Sequence, residues 1–238
     1  MKGKSALILL GLDSSGVAAS CAVIGGEELG KEKILASGYV NTKTVHSKSL
    51  MPLMESVLAA ADLKLSDVDG FAVSIGPGSF TGLRIGMSAV KGMAFALGKP
   101  VYAVPTLLGL AYNLRVRDCV VCAVMDARRD EVYNALFRVE NGVVTRLTPD
   151  RAIAAELLVI ELTDCGWHNS GVVLVGDGAG VVSAYMPVSD VAVEPLLYQN
   201  AVGVCYAARY GGIAAAAADE IAPVYLRRPQ AERERLAK

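Results

Sequence analysis

The sequence has very few histidines. Of its 238 residues only His46 and His168 are histidine, and neither has a second histidine nearby. The HExxH pattern, in which one helix face holds a catalytic zinc ion, is absent as well. Zinc sites need clustered histidine, cysteine or carboxylate ligands. A zinc hydrolase is therefore hard to build from this chain.

Long uncharged apolar segments are also missing. Apolar residues make up 53% of the chain, yet no run approaches the ~18 residues of a membrane-spanning helix. The start, MKGKSALILLGLDSSG, has a short apolar run that reaches Asp13 without a small-residue cleavage site. We interpret this run as a buried first strand, and we expect a cytoplasmic protein without membrane contact.

Neither sign of charge dominates, and cysteine shows no pairing pattern. The formal net charge is −1, so nothing draws the whole protein to nucleic acid. The five cysteines are an odd number, and Cys119 and Cys122 form a CxxC within the apolar stretch CVVCAVMD. On a strand these two side chains point to opposite faces. We expect core cysteines in a reducing compartment rather than a redox or metal pair.

The sequence does contain the same order of predicted strands and helices in each of its two halves. Each half reads strand, strand, strand, helix, strand, helix, strand. Each half opens with an apolar strand that ends in an aspartate, Asp13 or Asp126, and each fourth strand runs into a glycine loop. This order predicts an α/β protein with two related subdomains, residues 1–116 and 117–225, each a mixed sheet with helices, and a charged tail, residues 226–238.

The hydrophobic periods place these elements. In the first half they predict strands at 6–13, 19–24, 33–40, 69–75 and 101–104, and helices at 47–61, 79–97 and 106–114, the last capped by Thr106. In the second half they predict strands at 120–126, 131–139, 143–147, 172–175 and 191–193, and helices at 152–162 and 201–208. The first three strands are short-spaced, which predicts an antiparallel meander.

The segment GPGSFTGLRIG resembles a phosphate-binding loop but fails two tests. It lacks the Lys-Ser/Thr of a Walker A loop and the third glycine of a dinucleotide fingerprint. Gly78, Gly82 and Gly86 are four residues apart and line one helix face, with Ser79 or Thr81 as cap. Because a glycine inside a helix costs about 1 kcal/mol relative to alanine, we expect another backbone, within this chain or in a partner, to approach this stripe. A phosphate contact at the helix start is the minor alternative.

Duplicated halves whose first strands end in aspartate resemble the actin, Hsp70 and sugar-kinase architecture. That resemblance implies a cleft in which paired aspartates hold a metal and a phosphate group. The corresponding residues here form a possible vestigial nucleotide cleft: Asp13, Ser14, Asp126, Gly176 and Gly178. The alternative is that the aspartates only cap turns at strand ends.

Five motifs together resemble the TsaB family, also called YeaZ. In chain order they are HSKSLMPLMESVL, GPGSFTGLRIG, GKPVYAVPTLLGLA, DARRDEVYNALF and PVYLRRPQAE, and the match extends from about residue 9 to residue 232. The resemblance implies a duplicated actin-like (ASKHA, ribonuclease H-like) fold. It also implies an accessory role in making threonylcarbamoyladenosine at the adenosine 3′ of the anticodon in tRNAs that decode ANN codons.

The resemblance further implies partners rather than catalysis. A TsaD-type paralogue carries the metal site and transfers the threonylcarbamoyl group, a TsaE-type ATPase joins the complex, and the chain can pair with itself. Where the paralogue has HxxxH, His46 is followed by Ser49 and Leu50, so no catalytic residue and no metal ligand is expected here. No cofactor is expected in the isolated chain, with ATP or ADP only at the complex interface and tRNA contacted only through the complex.

Pairing in this family uses the N-terminal helices. The resemblance therefore predicts an interface from the apolar face of the first helix and the small face of the second, some of which will pack internally. These residues are Leu50, Leu53, Met54, Val57, Gly82, Gly86, Ala89 and Met93.

Two other functions stay open at this point. A small-molecule kinase or ATPase of the same fold would use Asp13 and Asp126 with magnesium. Direct tRNA binding would use basic residues near the end of the chain, where acidic residues interleave and favour a solvated tail. The basic residues are Arg227, Arg228, Arg233 and Arg235, and the acidic ones are Glu232 and Glu234.

Overall fold

A computed structural model of the chain describes residues 7–26, 31–42, 45–167, 171–186 and 190–227. Of the residues named above, six lie outside these ranges: His168, Arg228, Glu232, Arg233, Glu234 and Arg235. The predicted tail is therefore described only at Leu226 and Arg227.

The first half of the chain follows its predicted order. The elements are β1 (Leu7–Asp13), β2 (Ala19–Gly26), β3 (Lys33–Val40), α1 (His46–Ala60), a 3₁₀ helix (Leu65–Asp67), β4 (Gly70–Gly76), α2 (Phe80–Leu97), β5 (Val101–Pro105) and α3 (Thr106–Tyr112). Strands β1, β2 and β3 form the predicted antiparallel meander. The predicted cap of α3 is wrong, because Pro105 holds the N-cap position and the buried Thr106 hydroxyl caps nothing.

The second half departs more from its prediction. Its elements are β6 (Cys119–Arg128), β7 (Glu131–Glu140), β8 (Val143–Arg146), β9 (Arg151–Ala154), α4 (Ala155–Asp164), β10 (Val172–Val175), α5 (Ala179–Ser183), β11 (Asp190–Val191), α6 (Ala201–Tyr210) and β12 (Ala215–Ala216). Strand β9 replaces the start of the predicted helix, because it pairs with β7. Sequence periodicity missed the short elements α5, β9 and β12.

Five strands of each sheet, β5-β4-β1-β2-β3 and β11-β10-β6-β7-β8, share one topology. The first sheet has the strand order β12-β5-β4-β1-β2-β3, and the second has the order β11-β10-β6-β7-β8, with β9 also paired to β7. In each sheet the first two strands are antiparallel, and the first and fourth equivalent strands, β1 with β4 and β6 with β10, are parallel. This correspondence confirms the predicted α/β fold of two related halves.

Helices separate and cover the sheets in layers. Helices α3 and α6 pack between the two sheets, and their apolar side chains join both inner sheet faces in one core. Helices α1 and α2 cover the outer face of the first sheet, and α4 and α5 cover that of the second. Helix α6 also contacts β1 and β2, and β12 pairs with β5. The division at residue 116 stays a prediction, since these late elements return to the first sheet.

Two further expectations concern the orientation of Cys119 and Cys122 and the lack of a membrane-spanning helix. Cys122 is buried in the outer core of the second sheet, whereas Cys119 packs against the core between the sheets, so the two point to opposite faces as predicted. Among the described residues, no helix combines the length and apolarity needed to cross a membrane.

Candidate functional site

A cleft of about 460 Å³ opens between the two halves, where β4 and β6 end. The first half contributes Ser15, Gly16 and residues 77–81 to its lining, and the second contributes Asp126, Arg128 and Asp177 among others. A late segment, residues 225–227, forms a third side. The structure thus brings the glycine motif of the first half close to the predicted aspartate of the second half.

The glycine stripe of α2 packs against the loop that follows β1. A Cβ atom at Gly82 would overlap the carbonyl oxygen of Ser14, and one at Gly86 would lie 2.6 Å from Ser14 Oγ. Ser14 Oγ donates a hydrogen bond to Gly82 O over 2.8 Å, and Ser79 N donates to Ser15 O over 2.7 Å. The close approach that the glycines predict therefore occurs within this chain.

Part of the backbone at the start of α2 is hydrogen-bonded within the chain. Ser79 is the N-cap, and its hydroxyl accepts a hydrogen bond from Gly82 N at 3.2 Å. This confirms one of the two predicted caps. The amide of Ser79 is also bonded, to Ser15 O, so this part of the helix start has a structural role, and the phosphate contact stays a prediction.

Asp13 is an internal acceptor rather than a cleft ligand. Its carboxylate, fully buried, accepts hydrogen bonds from the Ser74 hydroxyl and from the amide and hydroxyl of Ser15, the last two at 2.8 and 2.7 Å. Burial raises the pKa of Asp13 above its usual range, and these hydrogen bonds oppose that effect. Asp13 and Ser14 do not line the cleft, so their predicted place on its surface is corrected.

Asp126 does line the cleft, as predicted. It accepts hydrogen bonds from Arg128 N at 2.7 Å and from Arg128 Nη1 at 3.0 Å, in a pair that is largely exposed. Gly176 and Gly178 lie behind it, where Cβ atoms would overlap Val124 O and crowd the backbone of Met125. These two glycines serve the packing of the loop and do not line the cleft.

Sequence reasoning missed two residues of this site. Asp177 lines the second wall between the two glycines, and Gln199 Nε2 donates a hydrogen bond to Asp177 Oδ1 over 3.3 Å. Burial, with a smaller contribution from the charge of Asp126, raises the pKa of Asp177 to about 6. The Gln199 amide also fills the space where a Cβ of Gly16 would lie, so it contacts both halves. The GDG sequence could have indicated Asp177, whereas only the fold brings Gln199 to the cleft.

The predicted interface residues are mostly buried within this chain. Leu50, Met54, Val57 and Met93 belong to the core under α1 and α2, with Leu53 and Ala89 packed against it. Gly82 and Gly86 face the loop described above. These side chains have little or no surface to offer a partner, because the first sheet and the loop after β1 already cover them.

The outer faces of the same helices are exposed. On α2 five exposed residues recur every three or four positions, and the two in the middle of the helix, Ser88 and Gly92, are small; the five are Thr81, Arg84, Ser88, Gly92 and Phe95. Phe95 is 82% exposed, and Met51 on the neighbouring helix α1 is 37% exposed. A Cβ at Gly92 would meet nothing within 4 Å. We name this surface, formed by these five residues and Met51, the outer helix face.

No metal site stands out in the described part of the chain. No group of three or more His, Cys, Asp or Glu side chains there is placed to hold a metal ion. His46 Nε2 donates to Gly16 O at 2.9 Å, which fixes the cleft loop. Arg227, the one member of the predicted basic cluster that is described, pairs with Glu131 at 2.5 Å.

Comparison with known proteins gives consistent matches. A model of the TsaD family, described as tRNA N6-adenosine threonylcarbamoyltransferase, matches residues 40–185. The tRNA threonylcarbamoyladenosine biosynthesis protein TsaB of Bacillus subtilis is 33% identical over 147 residues, which cover 62% of this chain and 62% of the relative. Its namesake in Haemophilus influenzae is 37% identical over 130 residues, 53% of this chain and 52% of the relative. Both matches span less than two thirds of the relative's length.

A solved structure extends the similarity to the whole fold. YeaZ from Pseudomonas aeruginosa is 32% identical, covers 92% of this chain and 100% of its own, and superposes with a TM-score of 0.74. The predicted duplicated actin-like, ribonuclease H-like fold is thereby confirmed.

Proposed function

Because the chain belongs to the TsaB (YeaZ) family, we propose that it is a non-catalytic partner in tRNA threonylcarbamoyladenosine biosynthesis. It acts by pairing with a TsaD-type transferase, which modifies the adenosine 3′ of the anticodon in ANN-decoding tRNAs. A TsaE-type ATPase joins this complex, and the chain reaches tRNA only through it.

The burial of Asp13 is the observation that best supports a non-catalytic role. A carboxylate that binds a metal or activates a nucleophile must reach the substrate. Asp13 instead accepts three hydrogen bonds from Ser15 and Ser74 inside the first half. Among the described residues, the carboxylates that line the cleft are Asp126 and Asp177, both from the second half.

The outer helix face is the surface proposed for the partner. Helices α1 and α2 pack against each other on one side of the first sheet, and both expose their outer sides there. Small residues in the middle of α2 allow a helix of the partner to approach closely, and Phe95 and Met51 supply apolar area. The same face serves the proposed homodimer, so the two partners compete for it.

Two glycines provide a matched test of this surface. Gly92 on the outer helix face and Gly180 on α5 are both helical and exposed, and a Cβ at either would meet nothing within 4 Å. We expect Gly92→Trp to weaken binding of the TsaD-type paralogue at least about tenfold, since a Trp side chain holds the helices apart. Gly180→Trp is expected to bind as the unchanged chain does.

Binding is measured by titration calorimetry with the purified paralogue, and circular dichroism confirms that both variants fold. Equal affinity of the two variants would reject the outer helix face. Calorimetry with MgATP and MgADP, on the chain alone and on the complex, tests the remaining proposal that nucleotide binds only at the complex interface. Turnover of ATP by the chain alone would favour the kinase or ATPase alternative instead.

A further inference from the structure

The last described residues cross the mouth of the cleft. On the first half, Val224 N donates a hydrogen bond to Ile75 O over 2.7 Å. The ring of Tyr225 packs on that of Phe80, with centroids 4.9 Å apart, and Arg84 Nε donates to Tyr225 OH over 3.1 Å. This end of the segment is held by a backbone hydrogen bond and by ring packing.

Its other end is held by the second half. Arg227 Nη1 donates to Ala127 O over 3.2 Å, and Nη2 pairs with Glu131 Oε2 at 2.5 Å. The guanidinium also lies 5.9 Å from the centre of the Tyr133 ring. The Arg227 side chain is only 15% exposed, so this contact is less screened than an ordinary surface ion pair.

Only three peptide units separate the two anchors, so the segment limits how far the cleft walls can move apart. A chain of four residues spans at most about 13 Å when fully extended. Gly76 allows the segment to lie this close, because a Cβ there would overlap Val224 O and its φ of +127° is one that favours glycine.

We infer that residues 224–227 are a clasp that holds the cleft closed in the free chain, and that release of Arg227 from the second half opens it. The Arg227 end opens first, since its contacts are made by one side chain, whereas Val224 is bound through its backbone. This inference concerns the chain alone and goes beyond its proposed role as a partner.

Ala127 provides the reporter for opening. It is 5% exposed and lines the cleft, and its carbonyl accepts the hydrogen bond from Arg227. In the full chain with Ala127→Cys, the alkylation rate of the introduced thiol by iodoacetamide is followed by peptide mass spectrometry. The exposed Cys165 is replaced by Ser, and the fully buried native Cys122 reports global unfolding in the same sample.

We expect Arg227→Ala to increase the alkylation rate at position 127 about tenfold. In this variant, opening of the cleft no longer requires a charge-assisted hydrogen bond to be broken. Arg117→Ala is the matched control, since Arg117 pairs with Asp190 entirely within the second half. It is expected to leave the rate unchanged, and Cys122 is expected to stay unreactive throughout.

Equal rates in Arg227→Ala and Arg117→Ala would overturn the clasp, and so would equal acceleration at Cys122, which indicates global unfolding. Amide exchange of residues 126–131 without the introduced cysteine gives a second readout. Exchange there is expected to rise in Arg227→Ala alone, and unchanged exchange would contradict the inference.

Discussion

The two halves share one topology but use corresponding positions differently. Asp13 ends β1, where it is buried and accepts hydrogen bonds from neighbouring serines, whereas Asp126 near the end of β6 faces the cleft. The helix after β4 has 18 residues and an exposed outer side, whereas the helix after β10 has five. The two halves thus share the core of their sheets, while the second half places carboxylates at the cleft and the first half has a long, exposed helix.

The largest expected effect concerns the glycines of α2. Gly82→Ala places a methyl group on the Ser14 carbonyl, and because both partners are backbone, neither can move alone. We expect a loss of about 4 kcal/mol in the free energy of unfolding, measured by urea denaturation. Gly92→Ala on the exposed side of the same helix should stabilise the chain by about 0.5–1 kcal/mol. Similar effects from both would contradict the described packing.

The two aspartates are expected to differ next most. Asp13→Ala leaves the buried donors of Ser15 and Ser74 without their acceptor, which should cost about 3 kcal/mol of unfolding free energy. Asp126→Ala removes contacts that are largely exposed and should cost less than about 1 kcal/mol. If the two variants unfold at the same urea concentration, the halves do not differ as described.

Asp177 should make stability depend on pH. Burial raises its pKa from the ordinary 3.8 of an aspartate to about 6 in the folded chain, so the folded state favours the protonated form. The contribution of protonated Asp177 to the free energy of unfolding is complete below about pH 3.8 and is lost as pH rises through about 6. Asparagine stays neutral at every pH, so Asp177→Asn should remove this pH dependence. At pH 7 we expect its free energy of unfolding to exceed that of the unchanged chain by about 2 kcal/mol. A pH profile identical to that of the unchanged chain would contradict the burial of Asp177.

The smallest effect is expected at the exposed pair beside the cleft. Arg128 is 80% exposed where it pairs with Asp126, so Arg128→Ala should change the unfolding free energy by about 0.5 kcal/mol or less. Thermal unfolding at low and high salt measures this. A change as large as that of Asp13→Ala would mean that the second aspartate is also structural.

The sequence predicted more of the first half than of the second. Long helical repeats of apolar residues, such as those of α1 and α2, are strong local signals, and the helices that they predict are present in the structure. Strands β9 and β12 have four and two residues, and they exist only through pairing with β7 and β5. No local pattern encodes such partners.

The site shows the same limit. The stripe of Gly78, Gly82 and Gly86 correctly predicted a close backbone approach, but spacing alone could not identify Ser14 as the neighbour. Asp126 was found from its place after a strand, whereas Gln199 bonds to the cleft residue Asp177 and packs beside Gly16 of the first half, far from it in the chain. Long-range contacts of this kind are set by the fold and not by local sequence.

The central claim is that the outer helix face acts through a partner and that the cleft carboxylates do no chemistry. It is tested by reconstituted threonylcarbamoylation of tRNA with the TsaD-type and TsaE-type partners and a supplied threonylcarbamoyl donor. We predict no product from the chain alone, unchanged rates with Asp126→Ala, and a rate at least about tenfold lower with Gly92→Trp at limiting concentrations of the chain. Loss of activity in Asp126→Ala within an intact complex, with Gly92→Trp unaffected, would contradict the account.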